Sequence, residues 1–217
     1  MFGHTFMNQH TAFFDTLADE LVDRGYAILH QGVPAELCCQ LRSRIQELDD
    51  EDFKRAGIGR EQDHQINTQI RRDQIRWLSQ NNPTENTYLN WMDTLRSALN
   101  QRLFMGLFDY EAHFAHYPVG AFYKRHVDAF KGRTNRVLTT VVYLNKDWQK
   151  DEGGELILYP ETGDTPIECV LPESGTLVCF LSDRFPHEVL TAYRDRYSIA
   201  GWYRVNNTLG DQIDPPR

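Results

Sequence analysis

A short stretch near the middle of this 217-residue chain decides its fold. It reads Tyr117-Pro118-Val119-Gly120-Ala121-Phe122-Tyr123-Lys124-Arg125-His126-Val127-Asp128. Residues two apart on an extended strand point to the same face, so the imidazole of His126 and the carboxylate of Asp128 can converge on one point. Such a pair can hold a metal ion. A His-x-Asp pair alone is a weak signal, and further ligands have to come from elsewhere in the chain.

A third candidate ligand, His187, lies downstream in the segment Phe185-Pro186-His187-Glu188-Val189. It follows the apolar run 175–181, which is typical of a buried strand. Two histidines and one carboxylate on one face of an octahedron are the ligand set of non-haem Fe(II) oxygenases. Either histidine alone is more often a core or surface residue than a ligand, so the prediction depends on all three side chains together.

Arg196 lies nine residues after His187, in an aromatic and apolar strand that runs to Arg204. If it shares a face with Ala200 and Trp202, the period of two points it into the same interior as the metal ligands. A buried guanidinium requires an anion. A dicarboxylate cosubstrate provides one, because a guanidinium binds a carboxylate through two parallel hydrogen bonds. The opposite phase places Arg196 outside, without a role.

The order His-x-Asp, distant His and then Arg resembles that of the Fe(II)- and 2-oxoglutarate-dependent dioxygenases. Within that family, further segments resemble the prolyl hydroxylases that act on hypoxia-inducible factor, and among these the bacterial, Pseudomonas-type members. These segments are residues 70–77, Tyr117-Pro118, residues 125–128, residues 143–148, residues 153–156 and residues 196–203. The resemblance covers most of the catalytic domain. It implies Fe(II) as the metal, 2-oxoglutarate and O2 as cosubstrates, and ascorbate as a supporting reductant.

The resemblance also implies a role for each of eight side chains around the iron, with no general acid or base. The metal ligands are His126, Asp128 and His187. The residues that contact 2-oxoglutarate are Arg196, Tyr143, Tyr117, Leu156 and Trp202. Arg196 binds the far carboxylate of the cosubstrate, and the hydroxyl of Tyr143 is a second donor. Core packing is the alternative explanation for Tyr117, Leu156 and Trp202.

The same resemblance implies a polypeptide substrate. It places peptide contacts at Arg136, Asp73 and Trp77, and a finger-like loop that closes over the peptide at about residues 57–72. An ordinary hairpin loop is the alternative for that segment. Bacterial members are linked to a prolyl residue in elongation factor Tu, and we therefore expect 4-hydroxylation of such a residue. Free proline or another small molecule is the alternative substrate, and a metal-dependent binding module is the alternative to an enzyme.

The composition argues against several other classes of protein. A formal net charge of -8 argues against a general nucleic-acid binder or a nucleic-acid demethylase. No stretch approaches the roughly 20 apolar residues of a membrane span, and no signal peptide is evident. The four cysteines lack metal-binding spacing and are expected to be reduced thiols of a cytoplasmic protein. A basic group beside the metal site either steers an anionic cosubstrate or is a solvated loop; its members are Lys124, Arg125, Lys131, Arg133 and Arg136.

We expect one dioxygenase domain over residues 1–217. Residues 1–105 contribute the finger loop and supporting helices, predicted to end near Gly25 and to begin at Pro34 and Pro83. Residues 106–206 contain short β-rich runs separated by turns, which indicate a sandwich or barrel. Residues 207–217 are predicted to be a flexible tail. The predicted fold is mainly β with flanking helices, built around a double-stranded β-helix, or jelly roll.

Overall fold

Three α-helices and eleven strands are present in the computed structural model, which describes residues 3–55, 69–129 and 135–206. The helices are α1 (Gly3–Asp23), α2 (Ala35–Gln46) and α3 (Pro83–Leu103). The strands are β1 (Tyr26–Leu29), β2 (Lys54–Arg55), β3 (Gln74–Trp77), β4 (Leu107–Tyr117), β5 (Tyr123–His126), β6 (Arg136–Tyr143), β7 (Leu156–Leu158), β8 (Glu168–Val170), β9 (Leu177–Leu181), β10 (His187–Val189) and β11 (Arg196–Val205). Residues 57–68 of the predicted finger loop, Lys131, Arg133 and the predicted tail lie outside the described residues.

One helix ends and two helices begin at or next to the residues that the sequence indicates. α1 is followed by Gly25, whose positive φ of 79° suits a glycine at the end of a helix. Pro34 precedes the first residue of α2, where its missing N–H costs no helical hydrogen bond. Asn82 caps α3, and its side chain accepts hydrogen bonds from the backbone N–H groups of Thr84 and Glu85.

Two antiparallel sheets form the body of the fold. The larger has the strand order β1-β9-β6-β11-β4-β3-β2, and the smaller has the order β5-β10-β7-β8. The long strands β4 and β11 pair from Arg196 opposite Tyr117 to Val205 opposite Leu107. The two sheets and the helices agree with the predicted mainly β fold and jelly-roll core.

Alternation along the strands divides the core into two layers. On β11, Ile199 and Tyr203 pack with the helices, in a cluster that includes Leu95 of α3. Side chains of both sheets meet in the second layer, where Tyr143 of β6 packs with Leu156 of β7. Arg196 has the opposite phase to Ile199, so it points towards the smaller sheet and the space between the sheets.

Candidate metal centre

The three predicted metal ligands come together at one end of the smaller sheet. In the pairing of β5 with β10, His126 lies directly opposite His187. Asp128 lies beyond the end of β5, so the prediction that it shares an extended strand with His126 is wrong in detail. The chain bends after His126 and returns the carboxylate to the two imidazoles. One ligand atom from each residue lies within 4.8 Å of the others.

Both imidazoles present Nε2 to the centre of this group. The distance from His126 Nε2 to Asp128 Oδ1 is 3.5 Å, and from His187 Nε2 to Asp128 Oδ2 it is 3.7 Å. His126 Nδ1 lies 2.8 Å from the carbonyl oxygen of Lys124, and His187 Nδ1 lies 3.1 Å from that of Phe185. A carbonyl oxygen can only accept, so each Nδ1 carries the proton and each Nε2 lone pair is free for a metal.

Asp128 is held by hydrogen bonds to one of its two carboxylate oxygens. Its Oδ2 accepts from Thr139 Oγ1 at 2.9 Å and from Trp202 Nε1 at 3.0 Å. Thr139 Oγ1 also lies 2.9 Å from Ser182 Oγ. The threonine hydroxyl has one hydrogen, and the carboxylate can only accept, so we assign the donor role in the second contact to Ser182. This chain of hydroxyls fixes Oδ2 and leaves Oδ1 for a metal.

The protonation states also favour metal binding. Burial raises the pKa of Asp128, but the nearby His187 and His126 and the hydrogen bond from Trp202 outweigh burial and hold this pKa well below its usual range. Burial, helped by repulsion from His126, lowers the pKa of His187 to about 4. Near neutral pH the group is therefore an ionised carboxylate with a neutral imidazole. Two histidines and a carboxylate suit a divalent transition metal such as Fe(II).

Arg196 is 1% exposed. Its side chain therefore points inward, which is one of the two orientations that the sequence allows. Its Nε donates to the carbonyl oxygen of Gly154 at 2.8 Å, and its Nη1 donates to Ser198 Oγ at 3.2 Å. Among the described residues, no carboxylate forms an ion pair with it. Gly154 has a φ of +70°, and a Cβ there would lie 3.0 Å from Arg196 Cδ, so a larger residue would press on the arginine.

The hydroxyl of Tyr143 is buried and has no hydrogen-bond partner in the part of the chain that the structure describes. The guanidinium of Arg196 lies 5.0 Å from the centre of the Tyr143 ring and 4.8 Å from that of Tyr117. Burial raises the pKa of Tyr143 to about 12, so the phenol remains a neutral donor. Leu156 packs in the same cluster as both tyrosines. A buried cation and an orphaned donor side by side fit the carboxylate of a bound organic acid.

The remaining predicted site residues have partners within the protein. Trp202, predicted beside the cosubstrate, directs its indole N–H to Asp128. Arg136 pairs with Glu111, and Asp73 accepts two hydrogen bonds from Arg71 at 2.7 and 2.6 Å. Trp77 is 43% exposed. Its ring contacts His113 edge-on, with ring centres 5.2 Å apart, and Trp202 at a tilt, with ring centres 6.4 Å apart.

Sequence reasoning missed five side chains around the predicted site residues, namely Thr139, Ser182, Arg71, Tyr123 and Ser198. The spacing of Ser198 from Arg196 is a signal that could have found it, because residues two apart on a strand share a face. Tyr123 stacks on His126 three residues away, a spacing outside that period. Thr139, Ser182 and Arg71 depend on contacts between segments that the sequence pattern does not fix.

Of the described members of the basic group, Arg136 pairs with the buried Glu111, and Arg125 is engaged at the surface. Arg125 donates to Asp164 Oδ1 at 2.7 Å and lies over the ring of Tyr159.

All four cysteines are free thiols. None of the described helices is long and apolar enough to cross a membrane.

Comparison with known proteins places these observations in a family. The sequence profile of the 2OG-Fe(II) oxygenase superfamily matches residues 112–204. A solved structure of a Pseudomonas putida prolyl-4-hydroxylase is 38% identical, covers 89% of this chain and 100% of that chain, and superposes with a TM-score of 0.80. A Trichoplax adhaerens prolyl hydroxylase, solved in complex with a hypoxia-inducible factor peptide fragment, is 28% identical, covers 91% of each chain and has a TM-score of 0.81.

Among curated relatives, human Egl nine homolog 1 is 39% identical over 144 residues. The match covers 62% of this chain but only 33% of the human protein, so this chain spans about a third of that relative. The Pseudomonas likeness, by contrast, extends over the whole of the compared chain. With its His-Asp-His group and jelly-roll core, the chain belongs to the 2OG-Fe(II) oxygenase superfamily.

Proposed function

We propose that this protein is a prolyl hydroxylase that acts on a prolyl residue in a protein and consumes O2 and 2-oxoglutarate. The proposed product is 4-hydroxyproline, with succinate and CO2 as coproducts. The proposal is supported by the likeness to the prolyl-4-hydroxylase of Pseudomonas putida over that protein's whole compared chain. The protein-substrate part is supported by the Trichoplax relative, which was solved with a peptide fragment.

One structural observation carries the cosubstrate assignment. Arg196 is a buried cation without a carboxylate partner among the described residues, and it lies beside the unpartnered hydroxyl of Tyr143. A dicarboxylate such as 2-oxoglutarate can satisfy both donors with its far carboxylate. Its other end then has to reach towards the group formed by His126, Asp128 and His187.

Each residue around the proposed site has a definite task. His126, Asp128 and His187 would hold Fe(II), and their arrangement on one side leaves the other side of the ion open. When bound, iron, 2-oxoglutarate and O2 together supply the oxidising chemistry that converts an unactivated C–H bond to C–OH, with 2-oxoglutarate converted to succinate and CO2. Arg196 and Tyr143 orient the cosubstrate. The apolar cluster that includes Leu156 excludes water from this side of the site.

We propose elongation factor Tu as the protein substrate, the target class that the resemblance to bacterial prolyl hydroxylases implies. A cytoplasmic location and a contribution to oxygen sensing are part of the same proposal, since elongation factor Tu is cytoplasmic and O2 is consumed in the reaction. Free proline is the competing substrate, and it requires none of the peptide contacts proposed at Arg136, Asp73 and Trp77.

The test is incubation of the protein with Fe(II), ascorbate, 2-oxoglutarate and elongation factor Tu, followed by peptide mass spectrometry. We expect one added oxygen on a proline of elongation factor Tu and a matching amount of succinate. Turnover of free proline without oxygen on the protein would refute the substrate assignment.

The matched control for this assay is the Asp128→Ala variant. It removes one predicted ligand and the oxygen atom that accepts hydrogen bonds from Thr139 and Trp202, and leaves Arg196 and Tyr143 in place. We expect loss of both succinate and hydroxyproline, because two histidines alone hold iron weakly. Full turnover by this variant would show that Asp128 is not a ligand.

A further inference from the structure

Two of the three predicted metal ligands are each reached by a similar series of contacts from an acidic residue. In the first series, Arg71 donates to both carboxylate oxygens of Asp73, and its guanidinium lies 4.2 Å from the centre of the Tyr123 ring. The Tyr123 ring is stacked on the imidazole of His126, with centres 3.5 Å apart and planes 15° apart. We call this the Asp73 ladder, which consists of Asp73, Arg71, Tyr123 and His126.

The second series has the same order of chemical groups and ends at Asp128. Glu111 Oε1 accepts from Arg136 Nε at 2.8 Å and lies 2.7 Å from Arg136 Nη2. The guanidinium of Arg136 lies 3.7 Å from the centre of the Trp202 ring, and the indole N–H donates to Asp128. We call this the Glu111 ladder, which consists of Glu111, Arg136, Trp202 and Asp128.

His126 needs such support more than His187 does. It is the last residue of β5, the outermost strand of the smaller sheet, whose outer edge pairs, among the described residues, only with the short segment 70–72. The pairing of β5 with β10 is irregular. His187 is buried on β10, which has neighbours on both sides. The Tyr123 ring covers one face of the His126 imidazole and leaves its Nδ1 hydrogen bond to Lys124 intact. Stacking therefore restricts the rotation that the strand end would otherwise permit.

Both arginines are fixed by buried acids. The side chains of Asp73 and Glu111 are 0% and 3% exposed, and each binds its arginine through two nitrogen atoms. A guanidinium held in this way is a planar cation in a fixed orientation, and it attracts the face of an aromatic ring. The aromatic ring is then fixed between the guanidinium and the metal ligand.

We infer that Arg71 and Arg136 are positioning residues that act through Tyr123 and Trp202 to orient His126 and Asp128 for metal binding. This inference rests on the metal site in the proposed function. It gives Asp73 and Arg136 a role inside the protein, in addition to the peptide contacts that the sequence resemblance implies for them. Loss of either ladder should therefore weaken metal binding even in the absence of a substrate or cosubstrate.

The test is calorimetric titration of the metal-free protein with Mn(II), which replaces Fe(II) without oxidation. Arg71→Met and Arg136→Met each remove the planar guanidinium of one ladder. We expect the Mn(II) dissociation constant of each variant to rise about tenfold or more, the range usual for the loss of residues that support metal ligands. Tyr123→Leu should match Arg71→Met, whereas Tyr123→Phe keeps the stacked ring and should bind nearly as tightly as the wild type.

A third arginine provides the matched control. Arg102 pairs with Asp15 and lies 5.8 Å from the centre of the Phe14 ring, and the described contacts of this ring lead to Phe13 rather than to a metal ligand. Arg102→Met should leave Mn(II) affinity unchanged, and thermal unfolding of every variant checks that the fold is retained. If Arg71→Met and Arg136→Met bind Mn(II) within twofold of the wild type, the inference is wrong. If the wild type itself does not bind Mn(II), the proposed metal site fails instead.

Discussion

Arg196 is a buried guanidinium whose described hydrogen bonds go to neutral oxygen atoms of Gly154 and Ser198. Such a cation is costly without an anion, since the unpaired charge has lost its water. The sequence allowed its side chain to point either inward or outward, and the alternation of side chains along β11 shows that it points inward. The Tyr143 hydroxyl was expected as a second donor, but its burial without a partner could not be derived from the sequence pattern, because only the packing of β6 against the smaller sheet removes its water.

Arg196→Lys tests the role of the planar guanidinium. Lysine keeps the charge but cannot form the two parallel hydrogen bonds that a guanidinium forms with a carboxylate. A charge-assisted hydrogen bond contributes about 1.5–3 kcal/mol, so we expect the 2-oxoglutarate concentration for half-maximal succinate formation to rise at least tenfold. Mn(II) binding without 2-oxoglutarate should be unchanged. An unchanged 2-oxoglutarate requirement would place Arg196 outside the cosubstrate site.

At the scale of elements, the strand β5 is where prediction from sequence was least accurate. The pattern His126-Val127-Asp128 suggested one strand, yet β5 ends at His126 and the chain turns before Asp128. The ligand set was still predicted, because its residue types and order identify the chemistry whether or not the strand continues. The Tyr123 stack on His126 was missed, since contacts three residues apart do not follow the period of two.

One buried carboxylate links two of the helices to the larger sheet. Glu85 of α3 accepts from Arg44 of α2 at 2.9 Å, from Arg76 of β3 at 2.7 Å and from the backbone N–H of Ser79 at 2.7 Å. Glu85→Gln removes the charge and leaves both arginines without an ionic partner here. We expect it to lower the free energy of unfolding by about 3 kcal/mol, as is usual when one partner of a buried ion pair is removed.

Urea denaturation at pH 7 measures this loss. The control is Glu36→Gln on α2, where the carboxylate is exposed and accepts a hydrogen bond from Gln40 of the same helix. A surface change of this kind should alter the free energy of unfolding by no more than about 0.5 kcal/mol. Equal effects of the two substitutions would mean that the buried network does not join these elements.

At the scale of the whole molecule, two buried histidines make the stability of the metal-free protein depend on pH. Burial lowers the pKa of His113 and of His187 to about 4, from about 6.5 in an unfolded chain. Between these values the unfolded chain binds more protons than the folded protein, so the free energy of unfolding falls as the pH falls from about 6.5 towards 4. Above pH 6.5 this effect is absent.

Denaturation of the metal-free protein at pH 7 and pH 5 checks the sign. We expect lower stability at pH 5, and a smaller difference in His113→Phe, which removes one of the two groups without touching a metal ligand. A free energy of unfolding that is equal at the two pH values would contradict the burial of neutral histidines.

The central claim is that His126, Asp128 and His187 hold one metal ion with Arg196 in reach of its organic acid. A crystal structure of the protein grown with Mn(II) and 2-oxoglutarate, with anomalous scattering to locate the metal, tests it most directly. The account predicts one strong anomalous peak bonded to both Nε2 atoms and to the Asp128 carboxylate, with the far carboxylate of 2-oxoglutarate on Arg196 and Tyr143. A peak at another site, or 2-oxoglutarate bound away from Arg196, would contradict it.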